Sequence, residues 1–236
     1  MISLRYITFL WLMLPGLSVA QTADFFAKAD AFFNAHVSNG KVDYKGIAAD
    51  ATELDALLSL AADISVNPSE ANNYQAFWIN AYNLAVIKGI VANYPINSPL
   101  DKAGFFDKTK YNLGGEKITL NDIENKKLRA VFKDARVHFV LVCGAQGCPP
   151  LISKAYTPNN VESLLQQQTE LAVNNPDFIR IKGKKVGVSE IFKWYQEDFV
   201  TQEQTLIGFL NKYRTTPIAE GAKVSYYSYD WRLNAQ

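Results

Sequence analysis

The run from Asn72 to Tyr94 constrains the fold more than any other part of this chain. It reads as one long helix with apolar residues on several sides instead of along a single stripe, and a helix of that kind is buried. Pro95 stops it. Inside it, Phe77-Trp-Ile-Asn80-Ala-Tyr82-Asn83 sets two amides three residues apart, on one side of an otherwise apolar helix. A buried amide without partners costs on the order of 1–3 kcal/mol. Asn80 and Asn83 therefore either tie this helix to neighbouring backbone or, with Tyr82, line a site and orient a ligand or a catalytic base.

Shorter elements surround this run. Phe25 to Val37 carries Phe25, Phe26, Ala29, Phe32 and Phe33 at helical spacing, a first amphipathic helix, and Leu54 to Ala62 is a second. Gly40 to Tyr44 is a short extended segment. Tyr111 to Leu120 has Gly114-Gly115 between two alternating stretches, which predicts a hairpin, and Asn121 then caps a helix through Arg129. Arg136 to Val142 is β-branched and aromatic, and predicts a central strand. Helices over Asn160–Val173, Ser189–Tyr195 and Gln202–Tyr213 follow, with a hairpin over Phe178–Val188 and an extended piece over Val224–Tyr227. Helices segregated from hairpins, without strict βαβ alternation, predict an α+β fold: a single compact domain, several helices packed with short hairpins and the strand 136–142.

Met1 to Ala20 has the pattern of a secretory leader. Arg5 supplies one positive charge, Ile7 to Leu14 is an apolar run too short to span a bilayer, and Pro15-Gly16 precedes the small residues Ser18-Val19-Ala20. The expectation is cleavage after Ala20, a single domain over residues 21–236, and a periplasmic or secreted location. No lipobox cysteine follows the apolar run, and no later segment reads as a membrane span.

Composition narrows the partners. Charged residues make up 20% of the chain and aromatic ones 13%, an ordinary globular balance. A formal net charge of +1 offers no electrostatic reason for nucleic acid or an anionic membrane as partner. Lys182 to Lys185 contains Gly183 and lies between two alternating runs, so it reads as a solvated hairpin turn. The partner expected is an unidentified small molecule or envelope protein, with no cofactor.

Chemistry-bearing residues gather at Asp134-Ala-Arg136-Val-His138-Phe139, which runs into Cys143-Gly-Ala-Gln-Gly-Cys148-Pro-Pro-Leu151. His138 beside a cysteine-bearing turn invites a thiol-hydrolase reading, with the imidazole as base and Cys143 or Cys148 as nucleophile. Against it, five residues of strand span about 16 Å and put His138 and Cys143 on opposite faces. The chain has two cysteines, five apart, and export to an oxidising compartment would join them, an effect of roughly 2–3 kcal/mol for so small a loop. The spacing is neither Cys-x-x-Cys nor that of a zinc knuckle, and no metal is expected. His138 lies among apolar neighbours, where its charged form needs an acid. Asp198 in Lys193-Trp-Tyr-Gln-Glu-Asp-Phe199 and Asp230 in Tyr229-Asp-Trp231 could meet His138 or Arg136 in space. Tyr-Asp-Trp itself reads as a lock of the terminus onto the core.

Gly40-Lys-Val-Asp-Tyr44, Trp78-Ile-Asn-Ala-Tyr-Asn83, Leu120-Asn-Asp-Ile-Glu124 with Leu128-Arg129, Asp134 to Phe139, Cys143 to Leu151 and Tyr229-Asp-Trp231 together resemble the family called domain of unknown function 547, in the same order along nearly all of residues 21–236. The resemblance implies a shared site or structural knot at these motifs and names no activity. Family members usually carry Asn before the first cysteine and Ser before the second, where this chain has Val142 and Gly147.

Three functional classes follow. One is a ligand- or partner-binding domain with a structural Cys143–Cys148 bridge. Another is a hydrolase or acyl-transfer enzyme using His138 with Cys143 or Cys148, oriented by Asn80, Glu124 or an aspartate. The last is a dithiol redox protein. A site, where one exists, is expected around Arg136 and His138 and the turn after them, facing the side of the long helix that carries Asn80 and Asn83.

Overall fold

A computed structural model describes residues 15–236, with side chains from Ala20 onward, so most of the expected leader lies outside the described residues. Helix α1 (Pro15–His36) runs through the Ala20–Gln21 junction and meets a two-residue ladder of β1 (Val37–Ser38) and β2 (Lys41–Val42). Short α2 (Tyr44–Ala49) and α3 (Thr52–Asp63) lead to α4 (Ala71–Val91), which is buried without a break from Tyr74 to Ile87. That is the burial its apolar sides demand. Around α4 packs the larger core cluster, including Phe25, Phe33, Tyr44, Leu54, Ile118 and Leu165.

The first hairpin joins β3 (Lys110–Leu113) to β4 (Glu116–Thr119) through Gly114 and Gly115, with φ of 64° and 79°. Two positive φ values in a two-residue loop match the right-handed twist of the strands, and glycine adopts them without strain. The helix expected from Asn121 is instead capped by Thr119, whose hydroxyl accepts from the Asp122 N–H at 3.1 Å. It has three pieces: α5 (Leu120–Asp122), a wider π-helical stretch over Ile123–Arg129, and α6 (Ala130–Phe132).

The expected strand 136–142 does not form. Asp134 accepts from the Arg136 N–H at 2.9 Å and caps a 3-10 turn over Ala135–Phe139, and the N–H groups of Val140 and Leu141 both return to the Val137 carbonyl. Among the described residues no neighbouring strand pairs with this segment. The Asn83 amide takes its place, donating to the Val140 carbonyl at 3.0 Å and accepting from the Val142 N–H at 2.9 Å. β-Branched and aromatic side chains fit a buried surface of any backbone shape, so an apolar run this short does not distinguish strand from buried coil.

Beyond it lie α7 (Val161–Asn174), β5 (Ile179–Lys182), β6 (Lys185–Ser189), α8 (Ile191–Trp194), α9 (Gln196–Phe199), α10 (Leu206–Asn211) and β7 (Lys223–Tyr227). β5 and β6 form the second expected hairpin, and β7 joins β6 in parallel. A second core cluster, with Phe139, Phe178, Val186, Phe192, Phe199 and Phe209, fills this half. The fold is α+β. Among the described residues no helix is long and apolar enough to cross a membrane.

Residues 229–236 stitch the two halves together. The Gln146 and Gly147 N–H groups donate to the carbonyls of Arg232 and Asp230, Asn234 N–H donates to the Gly144 carbonyl, and Gln236 N–H to that of Val42. The buried Tyr44 hydroxyl donates to the Asn234 side chain at 2.7 Å.

Candidate functional site

His138 closes the 3-10 turn with its side chain only 3% exposed, and it has the acid that burial demands. Its Nε2 lies 2.6 Å from Asp198 on α9. Arg129, at the end of the π-helical stretch, grips the same carboxylate with two donors at 2.6 and 3.0 Å. Burial pushes the Asp198 carboxyl up, but the His138 contact and the Arg129 fork outweigh it and hold it down at about 2. Arg129 also donates to Glu197 at 2.8 Å and to Asn125, and its guanidinium lies over the Tyr195 ring at 4.9 Å. Tyr195 in turn lies against the imidazole, ring centres 4.1 Å apart.

The other face of His138 looks toward Glu124, whose Oε1 is 3.9 Å from Nδ1. Glu124 sits on the π-helical stretch, a distortion that recurs at functional sites because it turns side chains out of regular register. Its carboxylate acts on the Tyr195 hydroxyl and helps to keep the proton there. Burial raises the phenols of Tyr82, Tyr195 and Tyr229, and the negative charge of Glu124 raises all three further.

These groups open into a cavity of about 260 Å³. Tyr82, Asn121, Glu124, His138, Leu141, Cys143 and Cys148 form one side of its lining, and Phe106, Ile191, Trp194, Tyr195, Tyr229 and Trp231 complete it. Trp194, Tyr229 and Trp231 pack on one another with ring centres 4.8 to 5.8 Å apart. The sulfurs of Cys143 and Cys148 are within bonding distance of each other, with Cα atoms 6.5 Å apart, and the Tyr229 hydroxyl touches them at 3.0 and 2.9 Å. Gly147 carries no side chain because the Tyr229 ring closes on it: a Cβ there would be 2.9 Å from the ring. Gly144, with φ of 81°, lies so close to α4 that a Cβ would collide with Ile90.

The expected site residues divide. His138, Glu124, Tyr82, Cys143 and Cys148 come together on the cavity. The extended-chain estimate that separated His138 from Cys143 fails with the strand it assumed, since a coiled backbone lets both line one space. Yet the hydrolase pairing is not formed, because His138 faces Asp198 and Glu124 while the sulfurs face Tyr229. Asn80 and Asn83 lie off the cavity. Asn80 donates to the carbonyls of Ala76 and Tyr156 at 2.9 and 2.6 Å and accepts from the Tyr156 N–H at 3.0 Å, so both amides tie α4 to neighbouring backbone. Arg136 also turns elsewhere, forking onto Asp134 at 2.6 Å and Glu162 at 2.7 Å. Asp230 pairs with Arg232. Among the described residues no group of three or more His, Cys, Asp or Glu is placed to hold a metal ion.

Sequence reasoning named Asp198 and Asp230 as acids that could meet His138 or Arg136, of which Asp198 meets His138, and it missed the aromatic wall. Trp231 does more than anchor the terminus, and Trp194 is 45% exposed at the cavity edge. The density of aromatic residues in Lys193–Phe199 and Tyr226–Trp231 was the available signal; Phe106 had none.

Residues 67–171 match the family model described as protein of unknown function, DUF547. That segment holds Tyr82, Glu124, His138 and both cysteines, while Gly40–Tyr44 and Tyr229–Trp231 fall outside it. No curated protein and no solved structure matches the chain.

Proposed function

From residues 67–171 as a DUF547 segment, we propose that the protein is an exported domain that binds a small organic ligand in the cavity between α4, the π-helical stretch and the aromatic residues of α8 and the C-terminal segment. The observation that carries this reading is the cavity itself: about 260 Å³ walled by rings, with a few polar groups converging on it. Ligand sites have this character, an apolar lining that supplies affinity and a small number of placed polar groups that orient. The volume is slightly below the roughly 300–1,000 Å³ of pockets for drug-sized molecules, which favours a compact ligand or one group of a larger one. The Cys143–Cys148 bridge is structural here, holding the turn that carries Gly144 against α4 and presenting its sulfurs to Tyr229.

Thermal unfolding in the presence of a panel of compact amines, carboxylates, sugars and neutral aliphatics tests the reading, because a ligand of the native state raises Tm. Binding should also quench Trp194 and Trp231 fluorescence, and Trp194→Ala should weaken it. A panel without a single shift, with Trp194→Ala indistinguishable from the parent, overturns it. Alkylation without reductant separates the thiol alternatives: two reactive thiols in the native protein would favour chemistry at Cys143 or Cys148 over a structural bridge. Export is tested by N-terminal sequencing of envelope material, which should begin at Gln21; chains that still begin at Met1 overturn it.

A further inference from the structure

We propose that the cavity takes an organic ammonium ion whose charge is clothed in carbon, with Glu124 as its counter-charge and the rings of Trp194, Tyr229 and Trp231 as its walls. The proposal rests on the ligand-binding reading and names the ligand's chemistry.

The charges around the cavity point one way. No lysine or arginine is among its lining residues. Arg129, the guanidinium next to it, commits its donors to Asp198, Glu197 and Asn125. Glu124 feels the Arg129 charge only through space, and has at 3.9 Å a histidine nitrogen whose ring is already held by Asp198. Its side chain is 12% exposed, so little water screens it. A carboxylate placed in an apolar space without a lysine or arginine partner is costly unless a cation from elsewhere joins it. Its charge already reaches the hydroxyls of Tyr82, Tyr195 and Tyr229, all three of which line the cavity.

The walls favour the same ion. Aromatic faces carry a negative quadrupole and attract cations, most strongly where water is excluded. An anion would meet Glu124 and aromatic rings, with no lysine or arginine among the described lining residues to receive it. A bare metal ion or a primary ammonium must replace its water with directed oxygen contacts, and the lining offers a single carboxylate, Glu124, with Asn121 and phenols that are neutral and weaker acceptors. A methylated ammonium loses little hydration and needs one counter-charge and contact area, which is what this lining provides.

Choline and 3,3-dimethylbutan-1-ol test this directly, since they share shape and hydroxyethyl stem and differ in charge. Titration followed by calorimetry should show choline binding about tenfold or more tightly than its carbon isostere, a difference of the size expected for a partly desolvated cation–π site. Glu124→Gln should remove most of that preference. Trp194→Leu, at a side chain exposed enough to tolerate change, should weaken choline by a larger factor than it weakens the isostere. Equal binding of the two compounds overturns the ammonium assignment and leaves the binding reading standing. Binding of the isostere alone does the same. Failure of both compounds overturns the ammonium assignment, and the binding reading is then decided by the carboxylates, sugars and aliphatics of the wider panel.

Discussion

The molecule buries polar groups in two places and treats them in opposite ways. On α4, Asn80 and Asn83 satisfy backbone groups of passing segments, and each contact is a neutral amide on a peptide. Some distance along the chain, Arg129 and His138 converge on Asp198, Glu124 stands 3.9 Å from the other nitrogen of His138, and the group leaves a face open to a cavity. Both sets obey the rule that buried polar groups find partners. The difference is what remains: the first network is complete and can only hold, whereas the second keeps a carboxylate for something not built into the chain.

The largest effect should come from breaking the closed network. Asn83→Ala orphans the Val140 carbonyl and the Val142 N–H together, so chemical denaturation should show a loss of about 2–4 kcal/mol. A loss under about 1 kcal/mol would mean that the 140–142 segment holds its shape without α4.

Asp198→Asn should cost somewhat less, about 2 kcal/mol, because Arg129 keeps Glu197 and Asn125 after losing its fork. The pH dependence has a definite sign. The Asp198 carboxyl is held at about 2, below its ordinary 3.8, by His138 and Arg129. Its contribution to stability is therefore present above 3.8 and lost as pH falls through about 2. Acid titration of unfolding should show this loss in the parent and a shallower one in the variant; identical slopes would remove Asp198 from the ion pair.

Glu124→Gln should leave the ligand-free protein as stable or stabilise it by up to about 1 kcal/mol, since it removes a carboxylate held in an apolar space with no lysine or arginine in contact. A loss of stability would place Glu124 in the holding network. Smallest of all is the coupling between the two sets. Asn80 and His138 share no partner, so Asn80→Ala and His138→Ala should add within about 0.5 kcal/mol in a double-mutant cycle. Stronger coupling would merge the two networks into one.

How much of this the chain discloses in advance depends on how far apart the cooperating residues are. α4 is legible because a helix without a polar face has one possible environment, and its two amides announce that backbone must come to them. The demand of a buried His138 for an acid is likewise local, and Asp198 answers it from 60 residues away. The segment 136–142 misleads because its composition reports burial, while strand formation needs a neighbour that the topology withholds. The cavity is illegible for a related reason: its walls come from residues 106, 191–195 and 229–231, and only the closed fold makes them neighbours.

The stitching by residues 229–236 also sets an order in time. A polypeptide is made from its N-terminus, at about 5–20 residues per second, and contacts between distant segments wait until both exist. α4, with the helices that wrap it, is on hand early. Tyr229 and Trp231 arrive well after α4, and with them the hydrogen bonds that pin the Cys143–Cys148 turn to the segment at Val42. A chain that stops before residue 229 thus lacks two of the cavity's rings, and the cavity is complete only once residues 229–231 have joined it.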